Sequence, residues 1–216
     1  MKLVLTSDWH GYLPFPDELP EGDVLIVAGD LCPVWNHDRK FQANWLRGHL
    51  RPYLADLPYE KIILIAGNHD FVLEDSKVLG SQLDSEKVVY LKDAGFVHEG
   101  VSFWGSPWSG LFYNWAFMKD EAELATIYAG IPEHTQILIS HGPPWGVCDY
   151  TLTGQIAGSK ALRERILDMQ PQPKIVVTGH IHEAYGSDFL GATEILNVSL
   201  NDADYRPTQE PVVYEL

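Results

Sequence analysis

The sequence predicts an α/β fold, and two patterns support that prediction. Short apolar runs of strand length recur along the 216 residues and alternate with segments of helical spacing. Several of these runs end abruptly in Asp, Asn or His, as residues 62–66 do in front of Asn68, His69 and Asp70. In open α/β sheets, ligands bind in the crevice beyond the carboxyl ends of the strands. These strand endings therefore predict one shared site.

The first half of the chain is predicted to contain parallel strands joined by a helical crossover. Strands are predicted at residues 2–7, 23–28 and 61–66, and a surface connection with three prolines at residues 11–20. An amphipathic helix is predicted to begin near Asp38, because apolar residues from Phe41 to Leu50 recur near helical spacing. Pro52 is expected to end or kink that helix, since proline lacks a backbone N–H.

The second half is predicted to add a hairpin and further alternating elements. We expect a helix at 74–83, strands at 88–91, 136–140, 174–178, 193–200 and 211–215, a hairpin at 95–104, and helices at 119–129 and 159–169. The hairpin alternates apolar and polar residues around Glu99 and Gly100, which predicts an antiparallel second sheet. Ser159 is expected to cap the last helix.

Size and composition limit the class of protein and its partners. A chain of 216 residues suits a single domain spanning 1–216. The formal net charge of −15 argues against a nucleic-acid polymer, which needs clustered basic residues. No apolar stretch approaches the ~18 residues of a membrane span, so no membrane partner is expected. Cys32 and Cys148 are predicted to be buried thiols in a protein of the reducing cytoplasm, either a monomer or a homodimer.

The polar residues at the strand ends have the spacing of metal ligands. In an extended backbone, residues two apart project to the same side, so Asp8 and His10 could converge on one ion, as could His180 and His182. Each pair alone is weak evidence, because capped turns and hydrogen-bonded core histidines give the same pattern. Gly-Asp at 29–30 is weaker still, since both are common turn residues. Their recurrence at successive strand ends indicates a site.

Together with the His-Gly-Pro-Pro of 141–144, these motifs make the sequence resemble the calcineurin-like metallophosphoesterase superfamily. The blocks of that superfamily are Asp-x-His, Gly-Asp, Gly-Asn-His-Asp/Glu, His and Gly-His-x-His, and the resemblance covers nearly the whole chain. Residues 179–186 and the Gly-Ser-Pro-Trp of 105–108 look most like the metallophosphoesterase-domain-containing (MPPED-type) proteins, which are related to class III cyclic-nucleotide phosphodiesterases. The resemblance implies a four-layer αββα sandwich of two mixed sheets flanked by helices, and a metal-dependent phosphohydrolase.

The resemblance also implies roles for individual residues. One metal would be held by Asp8, His10, Asp30 and His182, and the second by Asp30, Asn68, His141 and His180. His69 would contact the phosphate beside Asn68 and protonate the leaving oxygen. Superfamily members often carry a carboxylate that orients this histidine, but here its position is Pro33. Asp70, Asp38 or a backbone carbonyl would have to replace it, which makes Asp70 a candidate catalytic residue.

The chemistry of the donors favours two divalent transition-metal ions. Mixed nitrogen and oxygen ligation without thiolate suits Mn²⁺, which we expect, or Fe, Zn²⁺ or Ni²⁺. Two ions about 3.5–4 Å apart lower the pKa of a bridging water and neutralise charge on a phosphoryl group. The expected substrate is a small phosphodiester, with 2′,3′- and 3′,5′-cyclic nucleotides as candidates. A broad phosphomonoesterase, a nuclease and a non-catalytic metal-binding scaffold are the alternatives.

Specificity is expected to come from the aromatic segment at 105–115. Trp108 is predicted to stack on a nucleobase, with core packing as the alternative for Trp108, Phe112, Trp115 and Trp145. The histidines without a partner at ligand spacing are predicted to be structural or solvent-facing. They are His37, His49, His98 and His134, of which His37 follows the Asp30 loop. Glu183 is expected to be a supporting or solvated group.

Overall fold

The apolar runs of the sequence become the strands of two β-sheets. The computed structural model describes residues 1–75 and 80–216. In chain order the strands are β1 Lys2–Thr6, β2 Val24–Ala28, β3 Lys61–Ile65, β4 Val88–Tyr90, β5 Ala94–His98, β6 Val101–Ser106, β7 Ser109–Gly110, β8 Met118–Lys119, β9 Ile137–Ser140, β10 Ile175–Thr178, β11 Gly186–Leu190, β12 Thr193–Asn197 and β13 Val212–Glu215. Strands β2, β9 and β10 are buried along their whole length.

The first sheet joins the amino-terminal strands to the last strand of the chain. Within the described residues its order is β13-β1-β2-β3-β4. Strands β1 to β4 run parallel, and β13 pairs antiparallel with β1. Parallel neighbours need crossover connections, which helices provide between β2 and β3. The predicted strands of this sheet are confirmed to within one or two residues at their ends.

The second sheet is mixed, which corrects the prediction of an antiparallel one. Its order in the described chain is β11-β12-β10-β9-β6-β5. Antiparallel hairpins form both edges, whereas β6, β9, β10 and β12 pair in parallel. Glu99 and Gly100 turn the β5–β6 hairpin, both with positive φ, as a type I′ turn requires. Edge strand β11 is absent from the prediction because its sequence is polar and largely exposed.

Helices cover the outer faces of both sheets. Those that the structure describes are α1 Arg39–Trp45, α2 Arg51–Asp56, α3 Phe71–Asp75, α4 Glu121–Tyr128 and α5 Lys160–Asp168. The predicted Ser159 cap is present, because its side chain accepts a hydrogen bond from the Leu162 N–H. The Asp38 carboxylate caps α1 in the same way, by accepting the Phe41 N–H. Of the helix predicted at 74–83, α3 is described as far as Asp75, residues 80 and 81 are helical, and residues 76–79 lie outside the described residues.

Pro52 neither ends nor breaks the helical run that contains it. A π-helical turn at Leu46–Leu50 joins α1 to α2, and the Arg51 N–H bonds to the Leu46 carbonyl five residues back. Proline lacks an N–H and collides with the carbonyl of a regular preceding turn. The wider π turn relieves that conflict, so the chain continues through Pro52 to Asp56.

Three apolar clusters establish the four layers of the sandwich. The central cluster lies between the sheets and includes Ile26 and Ile63 from the first with Ile139 and Val177 from the second. A second cluster joins the other face of the first sheet to α1, the π turn and α2. A third joins the outer face of the second sheet to α4 and α5. The predicted αββα sandwich of two mixed sheets is therefore confirmed.

The two cysteines were both expected to be buried, and one of them is. Cys32 is fully buried but Cys148 is partly exposed, and neither takes part in a disulfide. Among the described helices, none has the length and apolar content needed to cross a membrane.

Candidate metal centre

The carboxyl ends of β1, β2, β3, β9 and β10 meet at one place, where the two sheets adjoin. Backbone bonds link the loops that follow these strands: the Asp8 N–H donates to the Gly29 carbonyl (3.0 Å), and the Gly179 N–H donates to the His141 carbonyl (3.1 Å). The structure thus brings the predicted ligands together in one shared site, with contributions from both sheets.

Left-handed backbone conformations aim several of these side chains inward. Asp8, His10, Asp30 and His180 have φ values of 55, 47, 53 and 69°. Such conformations cost on the order of 1–3 kcal/mol each outside glycine and persist only where the surrounding structure fixes them. The extended geometry expected for the Asp8 motif is therefore wrong, although Asp8 and His10 still converge. Trp9 between them is buried in the core and donates its indole N–H to Thr6 Oγ1.

Asp30 lies at the centre of the group. Its Oδ2 is 3.6 Å from His10 Nε2 and 3.3 Å from His141 Nε2. Its Oδ1 accepts the His69 backbone N–H at 2.7 Å. Because these contacts leave Oδ2 facing histidines on two sides, Asp30 is placed as a shared ligand would be.

Two sets of donors flank Asp30. On one side His182 Nε2 lies 3.4 Å from Asp8 Oδ1 and 3.1 Å from His10 Nε2. On the other, Asn68 Oδ1 lies 2.9 Å from His141 Nε2 and 2.7 Å from His180 Nδ1. These sets correspond to the two ligand groups that the resemblance implies. His180 and His182 face different sets, so the expectation from their spacing that they share one ion is not met.

The donor atoms fit bound divalent metal ions. His141 Nδ1 donates to the Ala28 carbonyl and His182 Nδ1 donates to the Asp202 carbonyl, each at 2.9 Å, which turns both Nε2 lone pairs inward. Histidine ligands of metals typically donate their other N–H in this way. The groups Asp8–His10–His182, Asp8–Asp30–His141 and His10–Asp30–His69 each have ligand atoms within 4.8 Å of one another. Only the third group competes with the role expected for His69.

The charges of the group are mutually dependent. Burial lowers the pKa of His141, but the carboxylates of Asp30 and Asp8 outweigh it and raise that pKa to about 9. Burial raises the pKa of Asp8, but the hydrogen bond and charge of His182 hold it below its usual value. Burial lowers the pKa of both His10 and His180 to about 3. His10 and His180 are thus neutral donors beside ionised carboxylates, whereas His141 and His182, whose pKa is also raised by Asp8, would release a proton on binding a divalent ion.

Glycines allow the ligand loops to approach closely. A Cβ at Gly67 would overlap Asp30 Oδ1, and one at Gly179 would overlap Asp8 Oδ2. Larger residues at these two positions would push the carboxylates out of place. The glycines in front of Asn68 and His180 are therefore required by close packing against the carboxylates.

His69 lies above Asp30, but its ring partner differs from the candidates considered for it. The Asp70 carboxylate accepts backbone N–H groups of Gly67 (2.8 Å), Leu31 (3.1 Å) and Cys32 (2.8 Å), so it ties the Asp30 loop to the Asn68 loop. Burial and the Asp30 charge raise the pKa of Asp70 to about 6. This placement corrects the expectation that Asp70 orients the His69 ring.

The other carboxylate considered for orienting His69, Asp38, is also engaged elsewhere. His37, which was expected to be structural or solvent-facing, takes that position. Asp38 caps α1 through the Phe41 N–H. His37 Nε2 instead lies 3.0 Å from His69 Nδ1. The local signal for His37 was its position in the short connection after Asp30. His49 and His98, by contrast, contact Trp45 and Glu60 away from the site, as expected of structural or surface groups.

A cavity of about 900 Å³ opens above the group. His69, Asn68, Asp30, His180 and His182 line its floor. Its walls are formed by two loops and a tyrosine: Leu111, Phe112, Tyr113 and Trp115 on one side, Thr151, Thr153, Gln155 and Ile156 on the other, and Tyr205. The Tyr205 ring centroid is 4.9 Å from that of His10. No local sequence signal marks Tyr205, because the long connection between β12 and β13 brings it there.

Trp108 does not line this cavity, which corrects the prediction that it stacks on a nucleobase. Its indole N–H donates to Asp93 at 2.7 Å, and its ring packs edge-on against Phe117 at 5.3 Å. It adjoins two of the apolar clusters. Trp145 lies beneath the cations of Lys160 and Arg163 instead. Trp115, whose ring centroid is 4.5 Å from that of His69, is the tryptophan on the cavity wall.

Comparison with known proteins agrees with this geometry. Residues 1–184 match the calcineurin-like phosphoesterase family. The whole chain is 32% identical to metallophosphoesterase domain-containing protein 1 of Homo sapiens, covering 71% of that protein. Over 99% of its length it is 29% identical to a UPF0046 protein of Caenorhabditis elegans, covering 74% of it.

The fold has a counterpart among solved structures. One crystal structure superposes with a TM-score of 0.69 over 91% of this chain and 89% of the other, at 14% identity. That likeness concerns the fold alone. The family match and the relatives carry the assignment further: the chain belongs to the calcineurin-like phosphoesterase family, is of its MPPED type, and is a metal-dependent phosphohydrolase.

Proposed function

We propose that the protein hydrolyses small phosphodiesters with the help of two divalent transition-metal ions, Mn²⁺ being the expected one. The observation that carries this proposal is the position of Asp30 between two sets of nitrogen and oxygen donors. Bound there, two ions would activate a water molecule and neutralise charge on a phosphoryl group. Asp8, His10, Asp30 and His182 would hold one ion, and Asp30, Asn68, His141 and His180 the other.

His69 is proposed to act on the leaving group. Its backbone N–H is bonded to Asp30 and its ring lies on the cavity floor, so a phosphate above the donor sets would lie within its reach. A histidine positioned beside a leaving oxygen supplies a proton there, which is typically worth 10²–10⁴-fold in rate. Asn68 lies beside His69 and faces both the donors and the cavity.

The walls of the cavity favour an ester with a planar or apolar organic group. Phe112 and Tyr113 are 58% and 77% exposed, and their rings lie 4.3 Å apart on the rim. A nucleobase would find stacking partners there and on Trp115, and 2′,3′- or 3′,5′-cyclic nucleotides are therefore the proposed substrate class. The net charge of −15 disfavours a long polyanion at the same opening.

A metal-reconstituted activity screen tests the proposal. The protein is loaded with Mn²⁺, and hydrolysis is measured for 2′,3′- and 3′,5′-cyclic nucleotides, bis(p-nitrophenyl) phosphate and p-nitrophenyl phosphate. We expect kcat/KM for the cyclic nucleotides and the diester to exceed that for the monoester. The reverse order would favour the broad phosphomonoesterase. Activity on none of them, in protein that carries two ions per chain, would favour a non-catalytic metal-binding scaffold.

A further inference from the structure

His37 contacts the proposed acid His69 at Nδ1, one of its two ring nitrogens, which leaves Nε2 for the substrate. The two nitrogens, His37 Nε2 and His69 Nδ1, are 3.0 Å apart, within hydrogen-bond distance. His37 does not line the cavity itself. His37 would therefore contact the proposed acid His69 but not the substrate.

The surroundings of His37 hold its ring in this place. Its centroid lies 5.2 Å from that of Trp115 and 5.3 Å from that of Phe71. The His69 main chain is fixed independently, because its N–H donates to Asp30 and its carbonyl accepts the Gln42 amide at 2.7 Å. These main-chain bonds do not fix the side-chain torsions that orient the His69 ring. The hydrogen bond to His37 restrains those torsions.

The carboxylates considered for orienting the His69 ring, Asp38 and Asp70, accept backbone N–H groups instead. In the part of the chain that the structure describes, no carboxylate oxygen lies within ion-pair distance of the His69 ring. Burial lowers the pKa of His37, so at neutral pH it is an uncharged imidazole with one lone pair to offer. When His69 carries a proton on each ring nitrogen, it would donate Nδ1–H to that lone pair and keep Nε2–H for the leaving oxygen.

We propose that His37 is a positioning residue for His69, forming a histidine–histidine pair that aims the acid at the leaving oxygen. This inference rests on the proposed function. In the step concerned, a water molecule that has released one proton to solvent bonds to phosphorus as hydroxide, and the bond to the leaving oxygen breaks. The bonding electrons stay on that oxygen, which takes the proton from His69 Nε2, and the N–H pair remains on Nε2. His69 keeps its Nδ1 proton, bonded to His37.

Three variants separate the hydrogen bond from packing. His37→Phe keeps a ring between Phe71 and Trp115 but removes the bond, His37→Gln offers an amide at a similar reach, and His69→Ala removes the acid. Losing a hydrogen bond to a charged group predicts a fall of about 10- to 100-fold in kcat for His37→Phe on an alkyl phosphodiester. KM and metal content should stay unchanged, and a p-nitrophenyl ester should lose much less because its leaving group needs little protonation.

The conservative variant and the double variant decide the outcome. His37→Gln is expected to recover most of the rate, and His37→Phe should cost nothing further once His69 is alanine. In metal-free protein, the imidazole ¹⁵N resonance of His69 Nδ1 should shift in His37→Phe and return in His37→Gln. Equal losses on both esters, no recovery in His37→Gln, or an unmoved ¹⁵N resonance would overturn the inference. A wild-type protein inactive on every diester would instead overturn the proposed function.

Discussion

The floor and the rim of the cavity are built in opposite ways. The floor consists of polar side chains that follow strand ends, and beneath it Asp8 and His141 are wholly buried. Backbone bonds between neighbouring loops hold this region. The rim is formed by side chains on connections, and its aromatic members Phe112 and Tyr113 are 58% and 77% exposed. Buried ligands fixed by strands suit chemistry that tolerates little displacement, while an exposed rim suits recognition of the variable part of a substrate.

This difference separates what a substitution is expected to do in each region. A change in the floor should affect every substrate, because all phosphate esters would meet the same donors. A change in the rim should affect substrates according to their organic group. Comparing losses across substrates therefore assigns a residue to one region or the other.

The largest effect is expected at the centre of the floor. Asp30→Ala removes the carboxylate shared by both donor sets, so activity on every ester should fall to the uncatalysed background and both ions should be lost. Inductively coupled plasma mass spectrometry of Mn²⁺-reconstituted protein measures the second quantity directly. Asp30→Asn is the matched control for folding, because an amide oxygen at this position can still accept the His69 N–H that Asp30 Oδ1 accepts. One ion or none in well-folded wild-type protein would contradict the two-metal proposal.

The next largest effect is expected at His69. His69→Ala should lower kcat by about 10²–10⁴-fold on an alkyl phosphodiester, the usual range for a general acid, and by less on a nitrophenyl ester. Metal content should not change, and its measurement tests the competing ligand group His10–Asp30–His69. A loss of one ion would make His69 a ligand. Equal losses on both esters would indicate phosphate binding without proton transfer.

The same contrast explains how far the sequence alone could predict the molecule. The floor was predictable because each ligand follows its own apolar run, as Asn68 follows β3, and local order along the chain is enough. Partners across the site were not, because their distances depend on how two sheets and several loops pack. His37 and Tyr205 reach the site through connections whose paths no periodicity encodes. Trp108 was misassigned for the same reason, since its sequence neighbours cannot reveal the Asp93 acceptor.

A rim substitution should discriminate between substrates. Stacking of a base contributes about 1–3 kcal/mol, so Trp115→Ala should raise KM for a cyclic nucleotide about 5- to 150-fold. KM for a dialkyl phosphodiester should show little change, while a fall in kcat shared by both substrates would report the packing of Trp115 against His69 and His37. The matched control is Trp108→Ala, which leaves the cavity wall intact but removes packing between two clusters, and should lower Tm without raising KM. If Trp108→Ala raised KM selectively and Trp115→Ala did not, the assignment of the two tryptophans would be reversed.

The smallest effect concerns the contact that joins floor to rim. Glu183 follows the proposed ligand His182, and its Oε1 accepts the Leu152 N–H at 2.8 Å, which anchors the loop that carries the second wall. An exposed hydrogen bond contributes about 0.5–1.5 kcal/mol, so Glu183→Ala should raise KM for a cyclic nucleotide about 2- to 10-fold. Glu183→Ala also removes a negative charge near the opening, and that change alone would lower KM for an anionic substrate. Glu183→Gln loses the charge but keeps an acceptor, so KM for Glu183→Ala should exceed that for Glu183→Gln by this factor, at both low and high salt. Equal KM values in the two variants would show that the anchor has no part in binding, and that floor and rim act independently.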